Sequence, residues 1–172
     1  VNGDLEKPCN EDDHMRRKDQ QIVELKDIEA ILFKATVCRL SLLDGEYPYI
    51  VPLCFGYKNG ELYFHSALEG KKIDLIRRHD KVCFEVEAEV RLMPSENACK
   101  WGVSYESVVG CGRASLLHGT ESKRKALDVI LRNYTKGAFQ CPDKVLKKTA
   151  VIKVDIHSMT GKRSKPPPLV TG

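Results

Sequence analysis

No stretch of this 172-residue sequence approaches the roughly 20 consecutive apolar residues that a membrane-spanning helix requires, so no membrane is expected as a partner. The first twenty residues contain Pro8 and several acidic groups but no apolar segment of the kind found in secretory signals. Closely spaced cysteines are missing as well. The seven thiols stand at 9, 38, 54, 83, 99, 111 and 141, which leaves no CxxC knuckle and, being odd in number, no ladder of a secreted disulfide scaffold. A reducing cytoplasm is the expected compartment, with Cys38, Cys54, Cys83 and Cys111 read as small packing residues inside apolar stretches. A large charge of one sign is absent too. The net charge is +4, too small to call for nucleic acid. The sequence also lacks GxSxG, HExxH, Walker and GxGxxG patterns, so any chemistry does not rest on those side-chain constellations.

What is present is ordinary globular composition, 42% hydrophobic and 30% charged, on a chain of single-domain length. Residues 1–20 read as a disordered arm, with Met15 a candidate natural start, and residues 161–172 as a basic, proline-rich tail. Residues 21–160 form the expected domain. Ile28, Ile31, Leu32 and Ala35 make one helical face behind Asp27, a candidate N-cap. Extended stretches follow at 36–43, 49–57 and 61–66, separated by Asp44-Gly45 and Asn59-Gly60, both hairpin signals, and read together as a β-meander. Residues 70–78 form a short amphipathic helix. Residues 81–92 alternate as a strand until Glu87-Ala88-Glu89 breaks the rhythm and indicates a bulge. A long strand over 104–117 carries Gly110 and Gly112, signs of a bend or close approach. A helix over 120–134 and a strand over 150–156 complete the domain. Six mostly antiparallel strands with peripheral helices suggest a small barrel, an α+β fold dominated by β structure, since closure removes exposed edges.

Three features carry chemistry. Residues 63–76 run from a strand through a turn into a helix that begins with Gly70, Lys71 and Lys72. A helix start presents unpaired N–H groups and a positive dipole end, so the two lysines, with Ser66 as a hydroxyl donor, would suit a phosphate. Adjacent lysines also serve simply as a solvated pair, and the residues alone leave that alternative open. His65 alternates with Phe64 and reads either as a hydrogen-bonded barrel histidine or as a ligand or base. Pro52 interrupts a good strand pattern, which places that strand at an edge or breaks it, leaving backbone groups for a flat polar ligand. Trp101, Tyr105 and Tyr57 would supply aromatic walls or packing.

The segments IVPLCFGYKNGELYFHSALEGKKIDLI (50–76), CKWGVSYESVVGCGRA (99–114) and VDIHSMTGKR (154–163) together resemble the pyridoxamine-phosphate-oxidase-like FMN-binding split barrels, and within them the nitroimidazole-resistance, or Nim-type, flavoproteins. The resemblance spans about Met15 to Arg163. It implies a six-stranded antiparallel split β-barrel and a homodimer holding one FMN per subunit at the interface. Position by position, the backbone of Ile50, Val51, Pro52, Leu53, Cys54 and Phe55 would line the flavin ring. His65 and Ser66 would reach the ribityl and phosphate groups, and Lys71 and Lys72 would hold the phosphate. Ser107 falls where the oxidases carry a glutamine near the ring, and Trp101 would approach the cofactor, from the same or the partner subunit. The implied activity passes electrons from NADH or NADPH through FMN to a small acceptor, nitroaromatic or quinone; from its position alone, His65 is alternatively a proton donor to that acceptor. The alternatives are a non-catalytic flavin carrier, a haem-binding split barrel, and a basic adaptor acting through its tail. The sequence departs from the oxidases at Ile50, where they place an arginine, and at its proline-rich end, where they carry a substrate-binding arginine segment.

Overall fold

The computed structural model describes residues 15–137 and 141–164; the expectations for residues 1–14 and for the proline-rich end from Lys165 lie outside the described residues. Within the stretch read as an arm, Lys18–Gln20 forms one 3-10 turn. The elements are β1 (Gln21–Ile22), α1 (Leu25–Lys34), β2 (Cys38–Asp44), β3 (Tyr47–Leu53), β4 (Phe55–Lys58), β5 (Glu61–Ser66), α2 (Lys71–Arg78), β6 (Lys81–Met93), β7 (Gly102–Leu116), α3 (Thr120–Arg132), α4 (Asp143–Leu146) and β8 (Ala150–Arg163).

The strands form one antiparallel sheet in the order β3-β2-β6-β7-β8-β5-β4, with β1 added to β8. Its two edge strands, β3 and β4, are consecutive in the chain and separated only by Cys54. A sheet whose outermost strands lie one residue apart must curl until those edges meet at that corner. β3 and β4 share no ladder, so the barrel is split rather than closed.

The six expected strands become eight because residues 49–57 divide at Cys54 and Gln21–Ile22 adds a short strand. For the same reason the meander expected over residues 36–66 does not form: β3 pairs with β2 but not with β5. Pro52 lies on an edge strand, as its missing N–H requires. The Asn59-Gly60 turn has both residues at positive φ, +52° and +79°, the conformation that favours this dipeptide in hairpins.

The barrel interior is filled with period-two side chains: Cys38, Leu40 and Leu42 from β2, Val82, Phe84 and Val86 from β6, Leu62 and Phe64 from β5, and Ile152 and Val154 from β8. α1 contributes Ile28, Ile31 and Leu32 to this core. It starts three residues earlier than its pattern suggested, after Glu24 and without a side-chain cap. Asp27 therefore lies in the first turn, where it still complements the helix dipole. The cysteines differ in exposure and in oxidation state: Cys111 of β7, opposite Cys83, is buried and disulfide-bonded rather than the packing thiol expected. Cys38 is buried, whereas Cys54 at the corner and Cys83 on the outward face of β6 are exposed and do not pack as expected.

The bulge in β6 appears where the alternation failed: the register shifts between Ala88 and Arg91, and Glu89 takes a φ of +54°. β8 continues to Arg163, three residues past the expected domain end, because its last residues pair with β7 and β1. At Gly56 a Cβ would stand 2.6 Å from the backbone of Ile130, so the absent side chain lets α3 sit directly on β4. At Gly110 a Cβ would meet the Phe84 ring and the Ser158 carbonyl, both at 2.6 Å, which is the close approach expected there. No helix of the described residues is long and apolar enough to cross a membrane.

Candidate functional site

The turn after β5 leads into α2 through Gly70, whose φ of +119° is costly for other residues and beside which a Cβ would meet nothing within 4 Å. The helix begins without a side-chain cap, and its first turn is closed by the amides of Ile73 and Asp74 on the Gly70 carbonyl. The first amides of an α-helix have no intrahelical acceptor, so this start is open to an anion.

The two lysines at that start differ. Lys71 is engaged: its Nζ lies 2.5 Å from Asp44 Oδ2 and 5.0 Å from the centre of the Tyr49 ring. Lys72 is half-buried and has no hydrogen-bond or ion-pair partner among the described residues. Burial alone lowers its pKa, as expected for an ammonium removed from water with no counter-charge nearby. Asp44 and Tyr49 carried no signal of this role in the sequence, because Asp44 reads as a turn residue and Tyr49 as a strand residue.

The Lys71 contacts fix α2 against β3, so Ile50, next to Tyr49, belongs to the same corner. The side chains of Ile50 and Pro52 face outward, while those of Val51 and Leu53 lean on the core. Cys54 is exposed. The Phe55 ring is fully buried, and its N–H is donated to the Tyr134 hydroxyl at 2.8 Å. That hydroxyl in turn donates to the Thr36 carbonyl at 2.9 Å, tying down the β3–β4 corner.

His65 and Ser66 close β5 beside Val151 and Ala150 of β8. As strand neighbours they point to opposite faces, so the pair does not act as one polar surface. His65 is exposed and Ser66 half-buried.

Ser107 and Trp101 lie elsewhere. Register carries Tyr49 through Leu42 and Val82 to Gly112 of β7, placing the Lys71 corner level with Gly112. Trp101 precedes the start of that strand, roughly 35 Å back along it at about 3.3 Å per residue. It is half-exposed, and its indole N–H is donated to the Ser95 carbonyl. Ser107 is on the outward face that Ile50 and Pro52 share, but three strands from β3, or about 14 Å across the sheet. One chain therefore sets Lys71 against Asp44 and Tyr49 with Lys72 beside it, while Trp101 and Ser107 lie toward the other end of the sheet, before and within β7.

Among the described residues, apolar side chains stand exposed on the outward face of β3, β2, β6 and β7. Leu43, Ile50 and Val109 are 50, 57 and 51% exposed there. Among them Arg39 is held by Glu85 and Glu87, each at 2.9 Å.

Residues 24–163 match the family described as pyridoxamine 5'-phosphate oxidase. The chain belongs to this family. No curated protein matches the sequence. Among solved structures, the chain is similar to a Bacteroides thetaiotaomicron protein assigned to 5-nitroimidazole antibiotic resistance. The two are 36% identical with a TM-score of 0.74, over 83% of this chain and 86% of that one. A flavocytochrome from Azotobacter vinelandii shares the fold at 21% identity and a TM-score of 0.77, covering 91% of this chain and 74% of that one. An FAD- and haem-binding protein from Mycobacterium smegmatis does so at 17% and 0.75, covering 85% and 74%. These similarities agree with the split barrel derived above.

Proposed function

We propose that the protein is a homodimeric FMN-binding oxidoreductase that passes electrons from a nicotinamide donor to a small acceptor of nitroaromatic or quinone type. The observation that carries the flavin reading is Lys72, a half-buried ammonium without a counter-ion at an uncapped helix start beside open space. Family membership and the flavin-binding relatives support it.

The residues fit the phosphate end of such a cofactor. Lys72 and the first amides of α2 would hold the phosphate, with Ser66 as a hydroxyl donor. Lys71, neutralised by Asp44, would instead fix α2 against β3. The free edge of β3 from Ile50 to Cys54 would present backbone groups to the flat ring, and Ile50 and Pro52 would exclude water from it. When bound, the flavin supplies the electron transfer between donor and acceptor, so the protein has only to bind, orient and shield. His65, exposed at the end of β5, would give a proton to the acceptor.

The second subunit completes this reading. Along the sheet Trp101 and Ser107 stand away from the Lys71 corner of their own chain, and the exposed apolar residues of the outward sheet form the kind of face that a second copy would cover. The absorbance spectrum of the purified protein and the mass of its extracted cofactor test the assignment, followed by titration with NADH and NADPH. FMN that bleaches with either donor and recovers with a nitroaromatic supports the reading. FMN that no donor bleaches makes the protein a carrier, and a haem spectrum overturns the flavin assignment.

A further inference from the structure

A second concavity lies where α1, β4 and α3 converge, sharing no residue with the flavin reading above. It has a volume of about 320 Å3 and is lined by Glu29, Phe33, Tyr57, Lys58, Val129, Arg132 and their neighbours. Its walls are set by packing. The Gly56–Ile130 contact seats α3 on β4, so Arg132 and Asn133 at the end of α3 stand opposite Tyr57 and Lys58 at the end of β4.

Three features distinguish it from an incidental crevice. Phe33 is 58% exposed, yet it is held edge-on against Tyr57 with ring centres 5.6 Å apart, so an aromatic face is presented to solvent from a fixed position. Lys58 and Arg132 have no hydrogen-bond or ion-pair partner among the described residues, although Arg39, Arg113, Arg124, Lys153 and Arg163 all do. Arg132 is not drawn into capping α3, because the Ile130 and Leu131 carbonyls already accept the amides of Asn133, Tyr134 and Thr135. Finally, Asn133 gives its Nδ2 to the Ala35 carbonyl at 3.1 Å and is left with a buried Oδ1 that no donor reaches. A buried acceptor without a donor is uncommon and destabilising.

The lone carboxylate among these lining residues, Glu29, already accepts the Tyr57 hydroxyl at 2.6 Å. Lys58 and Arg132 also border a neighbouring cleft of about 570 Å3, where Lys153 is paired with Glu61 and Asp155, Lys125 is paired with Glu121, and Asp128 adds a carboxylate. The arrangement is therefore an aromatic wall with a pair of cations at the rim that have no partner among the described residues.

We infer that this cleft is a second ligand site, for a planar heteroaromatic ring carrying a phosphate, of nucleoside-monophosphate size. The ring would lie against Phe33 and Val129, and the phosphate would bridge Lys58 and Arg132. Equilibrium dialysis of the full-length, FMN-saturated protein against adenosine monophosphate tests it. One equivalent is expected to bind saturably and to resist displacement by an equal concentration of inorganic phosphate. Arg132→Gln and Phe33→Ala are each expected to weaken binding by about tenfold or more, and Arg132→Lys by less. Lys72→Gln should leave it unchanged. No saturable binding, displacement by phosphate alone, indifference to both Arg132→Gln and Phe33→Ala, or loss in Lys72→Gln would each overturn the inference. Both substituted side chains are on the surface, and an unchanged urea midpoint confirms that the variants fold.

Discussion

Lys71 and Lys72 are adjacent and identical in type, yet their surroundings give them different work. An ammonium already bound to a carboxylate gains little from a phosphate, whereas one that is desolvated and unpaired gains much. Lys72→Gln should therefore weaken flavin binding by about tenfold or more, the scale of one charge-assisted hydrogen bond, and Lys71→Gln by clearly less. Titration by flavin fluorescence quenching compares them. His65→Ala should leave flavin bound while slowing acceptor reduction; unchanged turnover would remove His65 from the chemistry.

Acid stability also belongs to single residues. Burial pushes the Glu106 carboxyl up, but hydrogen bonds from Arg163 at 2.6 Å and Lys34 at 3.3 Å outweigh it and hold the carboxyl below its ordinary 4.5. The hydrogen bond from Arg113 likewise holds Asp80 below its ordinary 3.8. A depressed folded-state pKa contributes stability that is fully present above the ordinary value and is lost as pH falls through the folded one. The urea midpoint should thus be insensitive to these two groups at neutral pH and fall below about pH 4.5. Glu106→Gln should be less stable at neutral pH and show a shallower acid decline.

At the scale of elements, the period-two interiors of β2, β5, β6 and β8 and the amphipathic faces of α2 and α3 are legible because local alternation coincides with burial. The break at Cys54 is not. Residues 49–57 read as one strand because their side chains suit extended structure throughout; the chain divides there only because the curled sheet needs a corner and Tyr134, eighty residues later, takes the Phe55 N–H. The seating of α3 on β4 is similarly non-local. Gly56→Ala should cost about 1–3 kcal/mol of stability, the usual penalty for an added group in a filled contact, measured by urea denaturation. Gly60, where a Cβ meets nothing, has no such contact to lose.

For the whole molecule, the main question is what covers the outward sheet. Val109→Glu places a charge in the middle of that face, away from the lysine corner. It should give a folded monomer with reduced flavin content, read by sedimentation and absorbance. If it stays dimeric and fully loaded, another surface is the interface. The position of Trp101 gives a stricter test. If Trp101 serves the partner's cofactor, heterodimers of Lys72→Gln with Trp101→Ala contain one intact site and one doubly altered site, so mixing two deficient variants restores flavin binding. If it serves its own chain, mixing restores none.

The sequence by itself determined the strand interiors, the Asn59-Gly60 turn, the bulge before Arg91, the lysine-bearing helix start and, through the combined motifs, the family. Each depends on residues close along the chain or on a pattern that survives as text. The tertiary structure alone decided which lysine pairs with Asp44, that β3 and β4 are opposite edges of one sheet, that the Phe55 N–H is taken by Tyr134, and that Trp101 and Ser107 lie away from the Tyr49 level of the sheet. Those outcomes depend on how a twisted sheet curls and on which distant side chain reaches a given backbone group, and no local pattern encodes either.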